Sequence, residues 1–487
     1  MASIKNASLT YHLDEIDSKT PEILEISHKI WEFAELSLKE FKSAALYTEK
    51  LADEGFTVKK GYSGIETAFS GEFSSGTGKP VIGILGEFDA LSGLSQKAFS
   101  VEKEELVKNG PGHGCGHNML GAASFGAALG IKKYLEETGT NGTVIFFGCP
   151  GEEGGASKAF MARDGVWKQL DAALTWHPGR TNEVTTGTNN SCVQILYEFS
   201  GVAAHAAGNP EQGRSALDAV ELMNIGVNYL REHMRSDCSV HYAMVDGGGL
   251  SPNVVQPHAS VLYMIRACKV SDTLALEKRV DACAEGAALM TGTTMNRIFV
   301  DGTSNTLPNT ILEKLLHESL LKIPLPGYTA GELAYLEALD LTCPRNGSIP
   351  GHGAKYDIAI KRATADLSCN GTKYVNDFIM PFYSGNEFSP GSTDVGDVSR
   401  QTPTAEFTAV TFAAHAPGHS WQNVSCGGST VGDKGTLYAA KVLSDAAVTL
   451  FETPSILKAA RDEFENRIAF EEPLSPIPEG AVPYVIE

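Results

Sequence analysis

Thr143-Val144-Ile145-Phe146-Phe147-Gly148-Cys149-Pro150-Gly151-Glu152-Glu153-Gly154-Gly155 is the stretch on which the reading of the whole chain turns. Its first half is a continuous apolar run without polar alternation, the pattern of a strand buried on both faces of a sheet. Its second half is a turn of small residues around two adjacent carboxylates. A buried strand that empties into such a turn puts charge at the carboxyl edge of a sheet. That is where open α/β sheets carry their functional crevice.

Two similar runs flank it, Val81-Ile82-Gly83-Ile84-Leu85-Gly86 before and Ala172-Ala173-Leu174-Thr175-Trp176 after. Between the first two lies Met119 to Leu135, apolar, Ala-rich and long enough for a helix. Strands alternating with helices imply a largely parallel α/β sheet. From Pro21 to Glu54 the residues Ile23, Ile26, Ile30 and Phe33 recur at helical spacing. Late in the chain, Thr404 to Ala414 reads as a strand and Asp433 to Phe451 as a helix of the same domain.

The pattern changes near Thr188. Val193 to Phe199 and Val261 to Ile265 read as strands, Arg214 to Met234 and Leu274 to Met290 as helices. This is a small α+β domain inserted into the first and ending near Leu307-Pro308-Asn309. The expected organisation is a discontinuous catalytic domain, residues 1–189 and 306–487, around an inserted domain, 190–305. Gly327 to Pro390 is rich in Gly, Pro, Asn and Ser and lacks a clean period, so an irregular cover near the site is expected there. The Pro-rich tail after Glu471 is expected to be extended.

At 487 residues the chain is too long for one ordinary core. A formal net charge of −20 argues against nucleic acid and anionic membranes, which need a basic stripe. An anionic substrate would meet a repulsive field that local Arg or metal charge must overcome. The nine cysteines are odd in number and irregularly spaced, which fits a reducing compartment better than a disulfide framework. With no basic-then-apolar leader and no apolar run of membrane-spanning length, a cytoplasmic protein is expected.

The chemistry centres on Gly112-His113-Gly114-Cys115-Gly116-His117-Asn118. A thiol and an imidazole two residues apart among glycines suit zinc or a neighbouring transition metal. The plainer reading is a buried thiol beside a helix-capping imidazole. Glu152 and Glu153 alone would pass for a solvated turn. Their small neighbours and apolar strand favour one carboxylate on a metal and the other free to move a proton. His177, between Trp176 and Pro178, and His419, between Gly418 and Ser420, read as structural singly and as ligands in company. Asp89, in Gly86-Glu87-Phe88-Asp89-Ala90-Leu91, reads either as a carboxylate orienting a metal-bound imidazole or as a helix N-cap. His12, His28, His317 and His352 read as surface residues.

Together with Gly201-Val202-Ala203-Ala204-His205-Ala206-Ala207 and Ser251-Pro252-Asn253-Val254-Val255-Gln256, these motifs resemble the M20 metallopeptidase family. The nearest branch is the amidohydrolase group that carries Cys-Gly-His in place of an Asp ligand. The resemblance runs from Ile23 to about Phe451. It implies an α/β catalytic domain with a mixed, mostly parallel sheet and an inserted α+β lid and dimerisation domain. It also implies two divalent ions per subunit, zinc or manganese, with Cys115 bridging and His117, Glu153, His177 and His419 completing the set. A thiolate favours zinc on softness.

On the same resemblance, Glu152 would be the general base and Asp89 would orient His117. His205 would reach a partner subunit's site and stabilise the oxyanion, while Asn253 and Arg266 would grip the substrate carboxylate. Ser392 and Asp394, in Gly391-Ser392-Thr393-Asp394-Val395-Gly396-Asp397, would support the site. The implied activity is hydrolysis of an amide bond to a carboxylate-bearing amino acid, an N-acyl or aryl-amide glutamate such as p-aminobenzoyl-glutamate leading. The rivals are a dipeptidase using the same core residues and a non-catalytic partner subunit of a related hydrolase. The expected assembly is a homodimer through the lid domain, with a heteromer as the alternative. The expected ligand is a small acyl-amino acid or dipeptide, with no nucleic acid and no membrane.

Overall fold

The structure is a computed structural model that describes residues 10–345 and 347–485. It opens with three helices, α1 (Tyr11–Ser18), α2 (Thr20–Phe33) and α3 (Phe41–Asp53). β1 (Thr57–Lys60), β2 (Phe69–Ser75), β3 (Val81–Glu87), α4 (His117–Thr138), β4 (Gly142–Cys149), α5 (Ser157–Arg163), β5 (Ala172–Gly179) and β6 (Glu183–Thr185) follow. Next come β7 (Ser191–Ser200), α6 (Ala216–Leu230), β8 (Ser239–Asp246), β9 (His258–Ala267), α7 (Val270–Thr291) and β10 (Thr294–Thr303). The chain closes with α8 (Thr310–Lys322), α9 (Ala330–Asp340), α10 (Ile358–Leu367), α11 (Val395–Ser399), β11 (Thr404–Val410), α12 (Trp421–Gly427), α13 (Thr430–Glu452) and α14 (Pro454–Ile468).

These elements form two compact units. The first runs to Gly187 and takes in Leu307–Glu387 and Val398–Phe470. Its sheet has the order β1-β2-β4-β3-β5-β11-β6. The central strands β4, β3, β5 and β11 are parallel, and β2, β1 and β6 join antiparallel at the two edges. The apolar runs of the sequence become the central strands, with every residue of β3 and β4 buried. Sequence reasoning finds the parallel middle and misses edge strands β1 and β6 and their neighbour β2, whose exposed polar residues break the apolar signal.

α4 is buried on nearly every side. Ala122, Ala123, Ala127 and Ala128 keep it slim enough to pack against β3 and α13 at once. Burying its larger side chains, Phe125, Leu129 and Leu135, contributes about 1.5–3 kcal/mol each.

The second unit comprises Thr188–Thr306, Phe388–Asp397 and the chain from Glu471. Its four-stranded antiparallel sheet runs β10-β7-β9-β8. Val193, Ile195, Tyr197 and Phe199 of β7 alternate into the core, as do Ala259, Val261, Tyr263 and Ile265 of β9. Val220, Met223 and Val227 of α6, with Val280 and Ala284 of α7, cover them. Strands β8 and β10 escape sequence reasoning: β8 is an exposed edge, and β10 carries an irregularity between Phe299 and Asp301.

The segment from Gly327 to Pro390 is more regular than its composition predicts. α9 starts on a capping box in which Thr329 and Glu332 bond each other's backbone N–H. Asp357 caps α10 by accepting from the N–H groups of Ala359 and Ile360. Both capping residues are legible in the sequence; α9 lacks a strong apolar stripe, and α10 buries only Thr364. Among the described residues no helix is long and apolar enough to cross a membrane. All nine cysteines are free thiols.

Candidate metal centre

Each central strand of the first sheet delivers a chemical group at its carboxyl end. β3 ends in Glu87 and leads to Asp89; β4 ends in Cys149 and leads to Glu152 and Glu153. β5 carries His177 near its end, and β11 leads into the loop holding His419. Cys115 and His117 arrive at the start of α4, where helix dipole and free backbone N–H groups favour a thiolate.

Local backbone geometry sets the donors. Gly116, between Cys115 and His117, has φ +84°, and a Cβ there would lie 2.9 Å from Pro178. Only glycine turns the chain there without strain. Gly151 has φ +65°, and a Cβ would meet Leu38 at 2.8 Å, so the carboxylate loop also depends on a bare backbone. His419 sits at φ +51°, a conformation that a non-glycine residue holds only where its surroundings enforce it.

Two groups of donors result, and Cys115 belongs to both. Cys115, His117 and His177 form one, Cys115, Glu153 and His419 the other; within each the ligand atoms lie within 4.8 Å of one another. Cys115 Sγ stands 3.4 Å from His177 Nε2. His419 Nε2 and Glu153 Oε1 are 3.3 Å apart. His117 donates Nδ1–H to Asp89 at 2.7 Å, which leaves Nε2 facing the centre. His177 fixes its own tautomer by donating Nδ1–H to the carbonyl of Pro178 at 2.8 Å.

The donor chemistry fits a metal pair. His117 Nε2 is buried without a hydrogen-bond partner, an expensive state unless a cation completes it. Thiolate, imidazole and carboxylate are the set that zinc and its neighbours take. Burial works against a charged Cys115, yet the imidazoles of His177 and His117 hold it well below the usual thiol range. The thiolate in turn outweighs burial at His177 and pushes it up to about 10. Hydrogen bonding to Cys115 and Glu153 pushes His419 up to about 10 as well. Burial pushes the Glu153 carboxyl up. Without a metal, the imidazoles of His177 and His419 hold protons that a bound cation would displace.

Asp89 is not a helix cap. Besides His117 it accepts from Ser37 Oγ at 2.8 Å and from the backbone N–H of Glu153 at 3.0 Å. Glu152 lies with Glu87 and His117 in a third group, their ligand atoms again within 4.8 Å of one another. Sequence reasoning assigns no role to Glu87 or to Lys158. Both are buried: Lys158 Nζ pairs with Glu87 Oε1 at 2.8 Å, while Glu87 Oε2 sits 3.3 Å from His117 Nε2. The signal that could have found the pair is a lysine inside the apolar helix α5, five residues beyond Glu153.

Other residues of the motif hold the frame. His113 is fully buried, bonds the carbonyl of Ile30 at 2.9 Å, and burial pushes its pKa down to about 4, so it stays neutral. Asn118 ties α4 to the carbonyl of Gly427 at 3.1 Å, and Asn423 bonds the carbonyl of Gly114 at 3.0 Å.

The lid residues expected from the sequence lie in the second unit. His205 and Asn253 come together: His205 bridges to Val254, and Ala206 N–H donates to Asn253 O at 3.0 Å. Nδ1 of His205 accepts the N–H of Gly208 at 3.0 Å, so its proton sits on an exposed Nε2. Arg266 lies opposite Cys192 across β7 and β9, and its buried Nε has no hydrogen-bond partner. Ser392 hydrogen-bonds the same Cys192, so it shares that neighbourhood. Asp394 is fully buried.

A model of "Peptidase family M20/M25/M40" matches residues 83–479. The chain is 40% identical over 476 residues to one subunit of the p-aminobenzoyl-glutamate hydrolase of Escherichia coli, covering 96% of this chain and 97% of that one. It is 26% identical over 473 residues to the Xaa-Arg dipeptidase of Mus musculus, covering 95% and 93%. Among solved structures, the fold resembles an aminobenzoyl-glutamate utilization protein from Klebsiella pneumoniae with a TM-score of 0.59. Identity there is 16%, with 90% of this chain and 98% of that chain covered.

Proposed function

The chain belongs to peptidase family M20/M25/M40, a hydrolase of amide bonds, and from that premise we propose that it cleaves an N-acyl or aryl amide of glutamate, p-aminobenzoyl-glutamate being the leading substrate. The observation that carries this reading is the pair of donor groups joined at Cys115, with Glu152 beside them and outside both. The 40% identity to a p-aminobenzoyl-glutamate hydrolase chain supports the substrate class.

Cys115, His117 and His177 would hold one divalent ion and Cys115, Glu153 and His419 the other. Bound there, such ions polarise a carbonyl and lower the pKa of water. The thiolate favours zinc, with manganese as the alternative. Glu152 takes a proton from the attacking water and returns it to the departing amine nitrogen. Asp89 fixes the His117 ring through Nδ1, leaving Nε2 as the atom that would hold an ion. His205, through its exposed Nε2–H, would reach a partner subunit's site and donate to the developing oxyanion there. Asn253 and Arg266 receive the substrate's α-carboxylate, with Ser392 and Asp394 supporting them.

The Escherichia coli relative is named as one of two different subunits of its hydrolase, which favours an assembly of more than one kind of chain. A homodimer through the second unit is the simpler alternative, supported by edge strand β8 with exposed Tyr242, Met244 and Val245. The organisation we favour is a metal-binding domain with 190–305 as lid, working in the cytoplasm.

The test is amine release from p-aminobenzoyl-glutamate by the purified chain loaded with zinc or manganese, beside Glu152→Ala. Release that disappears in the variant supports a self-sufficient amidohydrolase. A folded, metal-loaded chain that releases nothing overturns the self-sufficient reading in favour of a missing partner chain.

A further inference from the structure

A cavity of about 650 Å³ opens beside the metal-centre residues Cys115, His177 and His419. That volume suits a drug-sized ligand. Its wall also carries three cations, Arg180, Lys355 and Lys373. Arg180 follows His177 by three residues, just past the end of β5; Lys355 closes a single 3₁₀ turn in the segment before α10. Two distant stretches of the chain thus bring positive charge to one cavity.

The three cations differ in what already satisfies them. Lys373 pairs with Asp377 and lies over the ring of Phe378, 5.5 Å from its centroid. Arg180 and Lys355 make no ion pair among the described residues. The one carboxylate on the cavity wall, Glu183, lies in the field of both cations, while its hydrogen bonds go elsewhere. It accepts from Thr181 Oγ1 at 2.7 Å and from the backbone N–H of His352 at 2.9 Å. His352, also on the wall, is pushed down by burial and stays neutral near pH 7. In a chain of net charge −20, two cations without an ion pair, facing a single carboxylate on the wall of the candidate site, oppose the overall field.

We propose that Arg180 and Lys355 form a subsite for a carboxylate side chain on the substrate, making the enzyme selective for dicarboxylate amides such as acyl-glutamates. The proposal rests on the amidohydrolase reading above for the position of the scissile bond. It gives the side-chain carboxylate a receptor separate from Asn253 and Arg266. The Arg180 guanidinium binds a carboxylate through two N–H groups and Lys355 adds a point charge. The same charges reject a basic side chain, so substrates ending in arginine are disfavoured.

The experiment compares p-aminobenzoyl-glutamate with p-aminobenzoyl-glutamine, its neutral near-isostere, in wild type, Arg180→Ala, Lys355→Ala and the double variant, all metal-loaded. Calorimetry of N-benzoyl-glutamate and N-benzoyl-glutamine gives binding independently of turnover. Both side chains are exposed, so the variants fold. The wild type should prefer the glutamate compound about tenfold or more, and the ratio of the two kcat/KM values should fall toward one in the double variant, through KM. Arg180→Lys should restore part of the preference. A wild type that binds both compounds equally, or variants that weaken both equally, overturns the subsite. Selective binding of the glutamate compound without amine release keeps the subsite and overturns the self-sufficient hydrolysis reading.

Discussion

The carboxylate of Asp89 accepts the Nδ1–H of His117 at 2.7 Å through one oxygen and the backbone N–H of Glu153 at 3.0 Å through the other. One side chain therefore sets an imidazole of the first donor group and the loop of the second. Buried among these donors, Asp89 stays ionised because the His117 charge and the hydrogen bonds outweigh burial. Asp89→Asn should loosen both positions at once. We expect metal retention to weaken by about 10–100-fold, read by chelator competition. An unchanged chelator titration would remove Asp89 from the support of the centre.

Cys115 and Glu152 should separate metal binding from proton transfer. Cys115→Ala removes the donor common to both groups, so metal content after dialysis should fall at both positions. Glu152→Ala should keep its metal and lose turnover by about 10²–10⁴-fold. Elemental analysis beside the amine-release assay distinguishes them. Loss of metal from Glu152→Ala would make it a ligand and leave the base unassigned.

Lys158 neutralises Glu87 beneath the centre, and neither side chain reaches solvent. Lys158→Met strands a buried carboxylate, at a cost of about 3–5 kcal/mol. Adding Glu87→Gln should recover much of that loss, since no uncompensated charge remains. Denaturant midpoints of the single and double variants decide the matter. A double variant no more stable than the single would show that Lys158 acts through packing.

Glu313, buried in α8, accepts hydroxyl hydrogen bonds from Thr186 at 2.7 Å and from Ser384. Burial, the largest influence, pushes its pKa from 4.5 up to about 7. The folded state therefore binds a proton that the unfolded chain has already released. That stabilisation is complete below about pH 4.5 and is lost as pH rises through about 7, at most about 3 kcal/mol. Glu313→Gln should flatten this part of the stability profile, followed as the melting temperature between pH 5 and 8. An unchanged slope in the variant would assign the pH dependence to other groups.

The sequence determined the central strands, the helix that follows Cys-Gly-His, and the candidate metal-binding residues, because these depend on local signals. An unbroken apolar run can bury only as a central strand or a buried helix, and glycine permits a backbone turn wherever it stands. The edge strands, β8 and the helices within Gly327–Pro390 left weak traces, since half-exposed elements take their pairing from neighbours.

Only the tertiary structure decided that Cys115 stands in two donor groups, that Glu87 and Lys158 are one buried pair, and that Arg180 and Lys355 share a cavity with His177. Each is a contact between residues far apart or on different elements. A side chain's charge and shape are written in the chain, but what it faces is set by the packing of the sheet.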